Sequence, residues 1–219
     1  MNDCVPKIRV STMTGKLQGL RAINFSPLSN PFCKASSQKE GCVCSHCYSI
    51  HMLKTFRVSC HESWNANYLA MDAGVLEDWE VPRFNKDEKV RLLAHGEMCS
   101  DMQALNFVRI AKLNPQAVFT MWTKRPNLFN NYFLPDNFYI IQSSPSMNVK
   151  AKEHYFARSK RTVNAVFTVY EDPNDIPDGS YLCKGKKCIE CMFCYTLGRE
   201  TETFPKQIAE IIRKTKSFC

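Results

Sequence analysis

The chain has 219 residues, 44% hydrophobic and 23% charged, with a formal net charge of +8 and twelve cysteines. That length suits one sizeable core. The composition excludes disordered and fibrous classes, and no apolar run approaches the ~20 residues of a membrane-spanning helix.

In chain order, "LQGLRAINFS" (17–26) reads as a first strand that leads into a cysteine-rich loop, "CKASSQKEGCVCSHCY" (33–48). A helical stretch from Ser45 to about Ala73, broken near Ser59, returns the chain to the sheet. "KVRLLAHGEM" (89–98) is a buried strand, and "SDMQ" after it offers Ser100 as a helix cap and Gln103 as the far side of a capping box. The helix puts Met102, Leu105, Val108 and Ala111 on one face and stops near Asn114–Pro115. "AVFTMWTK" (117–124) is the next strand, and Pro126 opens a short helix through Phe133. "NFYIIQSS" (137–144) is a strand, "NVKAKEHYFARS" (148–159) a helix and "TVNAVFTVYE" (162–171) a strand. A surface loop (171–180) then leads to a second cysteine window, "CKGKKCIECMFCY" (183–195). "KQIAEIIRKT" (206–215) has the period of an amphipathic helix, opened by Pro205.

Strand–helix alternation predicts an α/β fold with a parallel sheet, here a partial or small (β/α) barrel. It forms a single domain over 1–219, with a barrel core at 17–171 and a segment at 180–219 whose terminal helix packs on it. Both cysteine windows follow a predicted strand end. If the sheet curls, its first and last strands approach, and the windows are expected to converge on one mouth at the carboxyl ends of the strands.

The chain start, "MNDCVPKIRV", lacks a secretory apolar core, so the expected location is the cytoplasm. Cysteines clustered in a reducing compartment point to metal ligands or redox groups. In the second window Cys188, Cys191 and Cys194 repeat at the spacing that wraps the corners of an iron–sulfur cube, with Cys183 five positions earlier. Zinc and plain reduced thiols are the alternatives. The first window offers Cys33, Cys42, Cys44 and Cys47, the last two forming a C-x2-C knuckle at a helix start, where the dipole favours thiolates. Cys42 and Cys44 lie only two apart, so three ligands plus an open iron position is one option. His46 reads as a helix-surface residue. Two clusters of net charge about −2 each would reduce +8 to about +4, which weakens the case for nucleic acid.

An extended strand alternates its side chains, so Leu93, His95, Glu97 and Cys99 are expected on one inner face. They read equally as a hydrogen-bonded polar cluster or as a site, because buried carboxylates need a partner. Cys99 is either a small buried hydrophobe or a further ligand. Lys124 and Arg125 belong at the same mouth, either binding an anion or simply solvated, with Lys124 read as the functional, catalytic cation. Cys4 and Cys219 are read as incidental, and Cys60, His51 and His61 as packing or solvent-facing residues.

Taken together, "NFSPLSNPFC", "CSHCYS", "VRLLAHGEMCSD", "AKLNPQAVFTMWTKRP", "IIQSSPSMN" and "CIECMFCY" resemble a phage-encoded family, the gene product eighty-eight-like proteins. More distantly, the series is similar to the radical S-adenosylmethionine enzymes. That resemblance implies a radical-S-adenosylmethionine-like barrel, with Cys42, Cys44 and Cys47 on a four-iron cluster and Tyr48 as the aromatic beside it. "HGE" (95–97) falls in the acid segment, so His95 and Glu97 would bind the cofactor and Glu97 would receive its amino group. The second window would hold an auxiliary cluster. The spacing C-x-C-x2-C departs from the family's C-x3-C-x2-C, and His95 stands where that segment has glycine. With Cys33 as a fourth ligand, no iron is open.

The expected function is therefore an iron–sulfur protein performing redox or radical chemistry, catalytic residues Glu97 and Lys124, with S-adenosylmethionine as a possible cofactor in a host cytoplasm. One alternative is a non-enzymatic iron–sulfur module, structural or electron-transferring, served by an electron donor. Another is a zinc-stapled nucleic-acid-binding protein. One larger cluster spanning all eight cysteines, with Cys99, is a further option. Phosphate-cradling glycine loops, nucleophile elbows and paired-carboxylate hydrolase patterns are not found.

Overall fold

A computed structural model describes residues 7–183, 185–196 and 206–212. Its strands are β1 (Ser11–Thr12), β2 (Arg21–Ile23), β3 (Lys89–Leu92), β4 (Val118–Thr123), β5 (Phe138–Ser143), β6 (Tyr155–Phe156), β7 (Arg161–Thr162), β8 (Ala165–Tyr170), β9 (Tyr181–Leu182) and β10 (Gln207–Ile211). Its helices are α1 (Pro31–Ser37), α2 (Tyr48–Thr55), α3 (Cys60–Ala73), α4 (Asp101–Lys112), α5 (Cys188–Cys191) and α6 (Phe193–Thr196). Eight strands form one sheet in the order β1-β2-β3-β4-β5-β8-β10-β9, and β6 and β7 form a separate hairpin. Every neighbouring pair in the large sheet is parallel except β1 with β2.

The sheet is buried on both faces, as parallel sheets require. Val90, Leu92, Phe119, Met121, Phe138 and Ile140 pack on one face against Met71 of α3 and Phe107, Val108 and Ile110 of α4. On the other face Ile141, Ala165 and Ile208 pack with Phe193, Trp122, Cys191 and Cys194. Buried asparagines stitch the crossovers to the helices. Asn106 accepts from Leu76 N and donates to Met71 O and Gly74 O, which satisfies loop backbone that burial would otherwise leave unpaired.

The expected strands at 117–124, 137–144 and 162–171 form with trimmed ends, and the helical stretch at 45–73 is broken between α2 and α3. Ser100 caps α4 by accepting from Gln103 N, while the Gln103 side chain accepts from Cys99 N instead of the cap residue's own amide.

Four expectations are corrected. The 206–215 helix is strand β10, because Ile208 and Ala209 are buried and its backbone pairs with both β8 and β9. Pro205, its expected opener, lies outside the described residues, as do Cys4 and Cys219. The 148–159 helix is a loop and the β6–β7 hairpin. Asn148 there adopts φ +60°, and its side-chain amide pairs with Glu171 in both directions. The 89–98 strand ends at Leu92, since Leu93 and Gly96 have φ of +54° and +81°. A side chain at Gly96 would overlap the Phe25 carbonyl, so only glycine fits.

Lastly, no closed barrel forms among the described residues: β1 and β9 are unjoined outer strands of two residues each. The sheet nevertheless curls. Lys16 Nζ, just before β2, meets Glu210 Oε1 of β10 at 2.7 Å. No helix among the described residues is long and apolar enough to cross a membrane.

Candidate metal centre

At the carboxyl ends of β2, β3 and β4, Asn30 organises the first cysteine loop. It caps α1 by accepting from Cys33 N at 3.0 Å, accepts from the Cys99 thiol at 3.0 Å, and donates to Glu97 O. Cys42 is tied to the end of β5 through a bridge to Ser146 and a Val43 N bond to Pro145 O at 2.9 Å. Its sulfur accepts from Cys44 N at 3.5 Å, at the start of a 3-10 turn (Val43–His46) on which His46 is exposed, as expected. Cys47 occupies the cap position of α2, and Tyr48 follows it, exposed and in contact with Phe56.

Glu97 is buried beneath this loop. Its Oε1 accepts from Thr123 Oγ1 at 2.7 Å and Met98 N at 3.0 Å, and its Oε2 accepts from Lys124 N at 2.7 Å. Burial pushes the carboxyl up, and the Lys124 charge with these three donors opposes that. Burial alone would lower Lys124, but Cys44, Glu97, Cys33 and Cys42 together hold its ammonium above the ordinary value. Burial drives the Cys33 thiol strongly up, helped by Glu97, Cys47 and Cys44, and drives Cys44 to about 11 against the pull of Lys124. The hydroxyl of Tyr68, pushed up to about 12 by burial and Cys99, completes the wall.

Leu93, His95, Glu97 and Cys99 do not share a strand face, because the strand has ended. Leu93 joins the helix-side core. His95 stacks on Trp64 with ring centres 4.4 Å apart, and its Nδ1 lies 2.7 Å from Ser49 Oγ. Burial, then Arg91 and Arg57, hold it down at about 4. Glu97 and Cys99 stay at the site. Cys60 packs beside Trp64, and His61 bonds Ser26 Oγ.

The second window lies elsewhere. Cys183 follows β9 and donates its amide to Ala209 O at 2.8 Å. Ile189 of α5 and Met192 line one open cleft with Gly19, Arg21, Glu88 and Lys89, at the amino ends of β2 and β3. Met192, at φ +51°, kinks the chain into α6, where Cys194 O accepts from Thr120 Oγ1 at 3.3 Å. Tyr181 stacks on Phe193 at 3.7 Å and places its hydroxyl 3.0 Å from Cys191 Sγ. Burial raises Cys188, and raises Cys194 to about 12, against Arg91 in both cases.

The windows therefore do not converge on one mouth. The first covers the carboxyl ends of β2 and β3, while the second runs from their amino ends to Thr120 in the middle of β4. The physical reason is strand stagger. In a curled parallel sheet the strands tilt, so the last strands meet the first displaced along their length. The Lys16–Glu210 pair records that displacement, joining the amino side of β2 to the carboxyl half of β10.

Among the described residues, no three His, Cys, Asp or Glu side chains are close enough to hold one metal ion. Within each window, however, the thiols lie in reach of each other's charge. Sequence reasoning missed Asn30, Tyr68 and Thr123 at the first window, and Lys16, Arg91, Tyr181 and Tyr195 at the second. Arg91 was visible as a charge inside an apolar strand, and Asn30 as a cap residue before Pro31. A family model described as gene product 88 matches residues 9–179, a span that includes the first window and ends before the second. No curated protein and no solved structure matches the chain.

Proposed function

This chain belongs to the gene product 88 family, and we propose that it is an iron–sulfur protein whose cluster seat is the carboxyl-end loop, with Cys33, Cys42, Cys44 and Cys47 as the thiol donors. The observation that carries this reading is the convergence of four thiols with Glu97 and the half-buried Lys124, whose ammonium lies within electrostatic reach of Cys44, Glu97, Cys33 and Cys42. A lysine held among thiols and a carboxylate suits a site that carries net negative charge.

The donor set fits a polynuclear centre better than a single ion. A zinc tetrahedron with Zn–S bonds of about 2.3 Å needs its sulfurs within about 3.8 Å of one another. No described trio of ligands meets such a requirement. A cube spreads its thiolates over separate irons. Burial raises the Cys33 and Cys44 thiols, and ligation is the means by which buried thiols ionise. When bound, such a cluster supplies a one-electron donor and acceptor.

The chain's own residues do the rest. Asn30 fixes the Cys33 backbone and the Cys99 thiol. Cys47 stands at the helix start, where the dipole favours negative charge. Glu97 locks the end of β3 to the start of the loop after β4, which sets the height of Lys124.

S-adenosylmethionine binding is the finer extension carried by the resemblance. A carboxylate offers about four acceptor positions and Glu97 already uses three, so one position on Oε2 is left for an amino group. Iron and sulfide assay of anaerobically purified protein tests the main reading, with iron expected and its carboxyl-end share lost in Cys44→Ala. Stoichiometric zinc without iron at this loop overturns it. Retention of labelled S-adenosylmethionine, abolished in Glu97→Gln, tests the extension separately.

A further inference from the structure

We infer that Cys183, Cys188, Cys191 and Cys194 hold a second, separate metal centre through four thiolates, and that the negative charge of this centre is the partner of the Arg91 guanidinium. Arg91 sits in the middle of β3, its Cζ 3.0 Å from the centre of the Trp122 ring. No carboxylate among the described residues pairs with it. Its Nε is shut off from solvent without a hydrogen-bond partner, while the guanidinium lies beside the Tyr195 hydroxyl. A desolvated cation needs a counter-charge. The neighbours able to supply one are Tyr195, Cys194 and Cys188.

Neutral thiols leave that requirement unmet. Four thiolates on an iron–sulfur cube of charge about +2 carry about −2. Arg91 and Lys16 stand against that charge, for Lys16 reaches the Cys183 side chain and lies near Cys188. The Tyr181 hydroxyl at Cys191 Sγ gives the sulfur the outer hydrogen bond that metal thiolates commonly carry.

The placement gives this centre a mechanical role. Its ligands come from the end of β9, from α5 and from α6, while its cations come from β3 and from the turn before β2. Metal there clasps the last part of the chain to the amino ends of the first strands, across the gap that sheet hydrogen bonding leaves open.

The test uses the full chain, purified without oxygen, with iron, sulfide and zinc measured in wild type, Cys191→Ser and Cys44→Ala. Cys191→Ser should remove one population of iron with sulfide that Cys44→Ala leaves at its wild-type level. Iron with sulfide identifies a cube, and zinc in its place overturns it, since no described trio of ligands holds a single ion. A metal content untouched by Cys191→Ser overturns the inference, whatever happens at the carboxyl-end loop.

If Cys191→Ser does not fold, alkylation of wild type decides. The four thiols should react at least tenfold more slowly before metal stripping than after it, and equal rates overturn the proposal. Arg91→Met should lower retention of this metal several-fold while Arg91→Lys preserves it, and full retention in Arg91→Met removes the charge argument. Hydrogen exchange at residues 15–20 and 207–211 should rise on stripping, and an unchanged pattern there overturns the clasp.

Discussion

Lys16 and Glu210 are 194 residues apart in sequence and 2.7 Å apart in space. Their contact converts an open strand order into a curled shell, and it is a part of the curl that can be measured without metal. Both side chains keep about a third of their surface exposed, so solvent screening limits the pair to about 1 kcal/mol. A double-mutant cycle with Lys16→Met and Glu210→Gln should show a coupling of about 0.5–1 kcal/mol by urea unfolding, reduced at high salt. Zero coupling at low salt would mean that the flanks do not meet in solution.

His95 should make the fold acid-sensitive. Its imidazole is held at about 4 in the folded chain by burial, Arg91 and Arg57, against 6.5 unfolded. The unfolded chain therefore takes up a proton that the folded chain refuses. The stability due to neutral His95 is complete above pH 6.5 and is lost as pH falls toward 4, by up to about 3 kcal/mol. Unfolding curves between pH 7 and 4.5 should be flatter in His95→Gln than in wild type, and parallel curves would refute the buried stack on Trp64.

Glu97→Gln tests the carboxylate as a structural lock. The amide oxygen can still accept from Thr123 and Met98, but its NH2 then faces the Lys124 N–H, donor against donor. The expected cost is about 2 kcal/mol, with Thr123→Val giving a smaller loss by the same measurement. A neutral Glu97→Gln would show that the Lys124 N–H bond to Oε2 does not lock the loop.

Asn30→Ala removes the α1 cap and the partner of the Cys99 thiol together. A cap alone is worth about 1 kcal/mol. A stability loss of about 1–3 kcal/mol is expected, and under the proposed cluster reading a lower iron content, whereas Asn30→Asp should keep the cap and most of that iron. Iron retained in full by Asn30→Ala would separate the cap from the site.

The central strands and α4 were legible because their signals are local. "AVFTMWTK" and "NFYIIQSS" are short apolar runs bounded by turn residues, and Ser100 stands just before an apolar helical period. The 206–215 segment misled because an amphipathic period is a weak preference, and the unpaired flank of β8 offers its backbone a ladder instead. Residues 93, 95, 97 and 99 misled because alternation was extended past Leu92, where Gly96 must pass close over Phe25 and bends the chain out of the strand.

Sequence alone determined which groups this protein has to work with: two sets of thiols, one carboxylate after β3 and one lysine after β4. Tertiary structure decided that Glu97 and Lys124 belong to the first set, that Arg91 and Lys16 belong to the second, and that the two sets occupy opposite ends of β2 and β3. Residue types and spacings act over a few positions along the chain. The curl and stagger of a parallel sheet arise only from the sum of all its strand pairings, so which distant groups finally meet is a property of the closed-up whole.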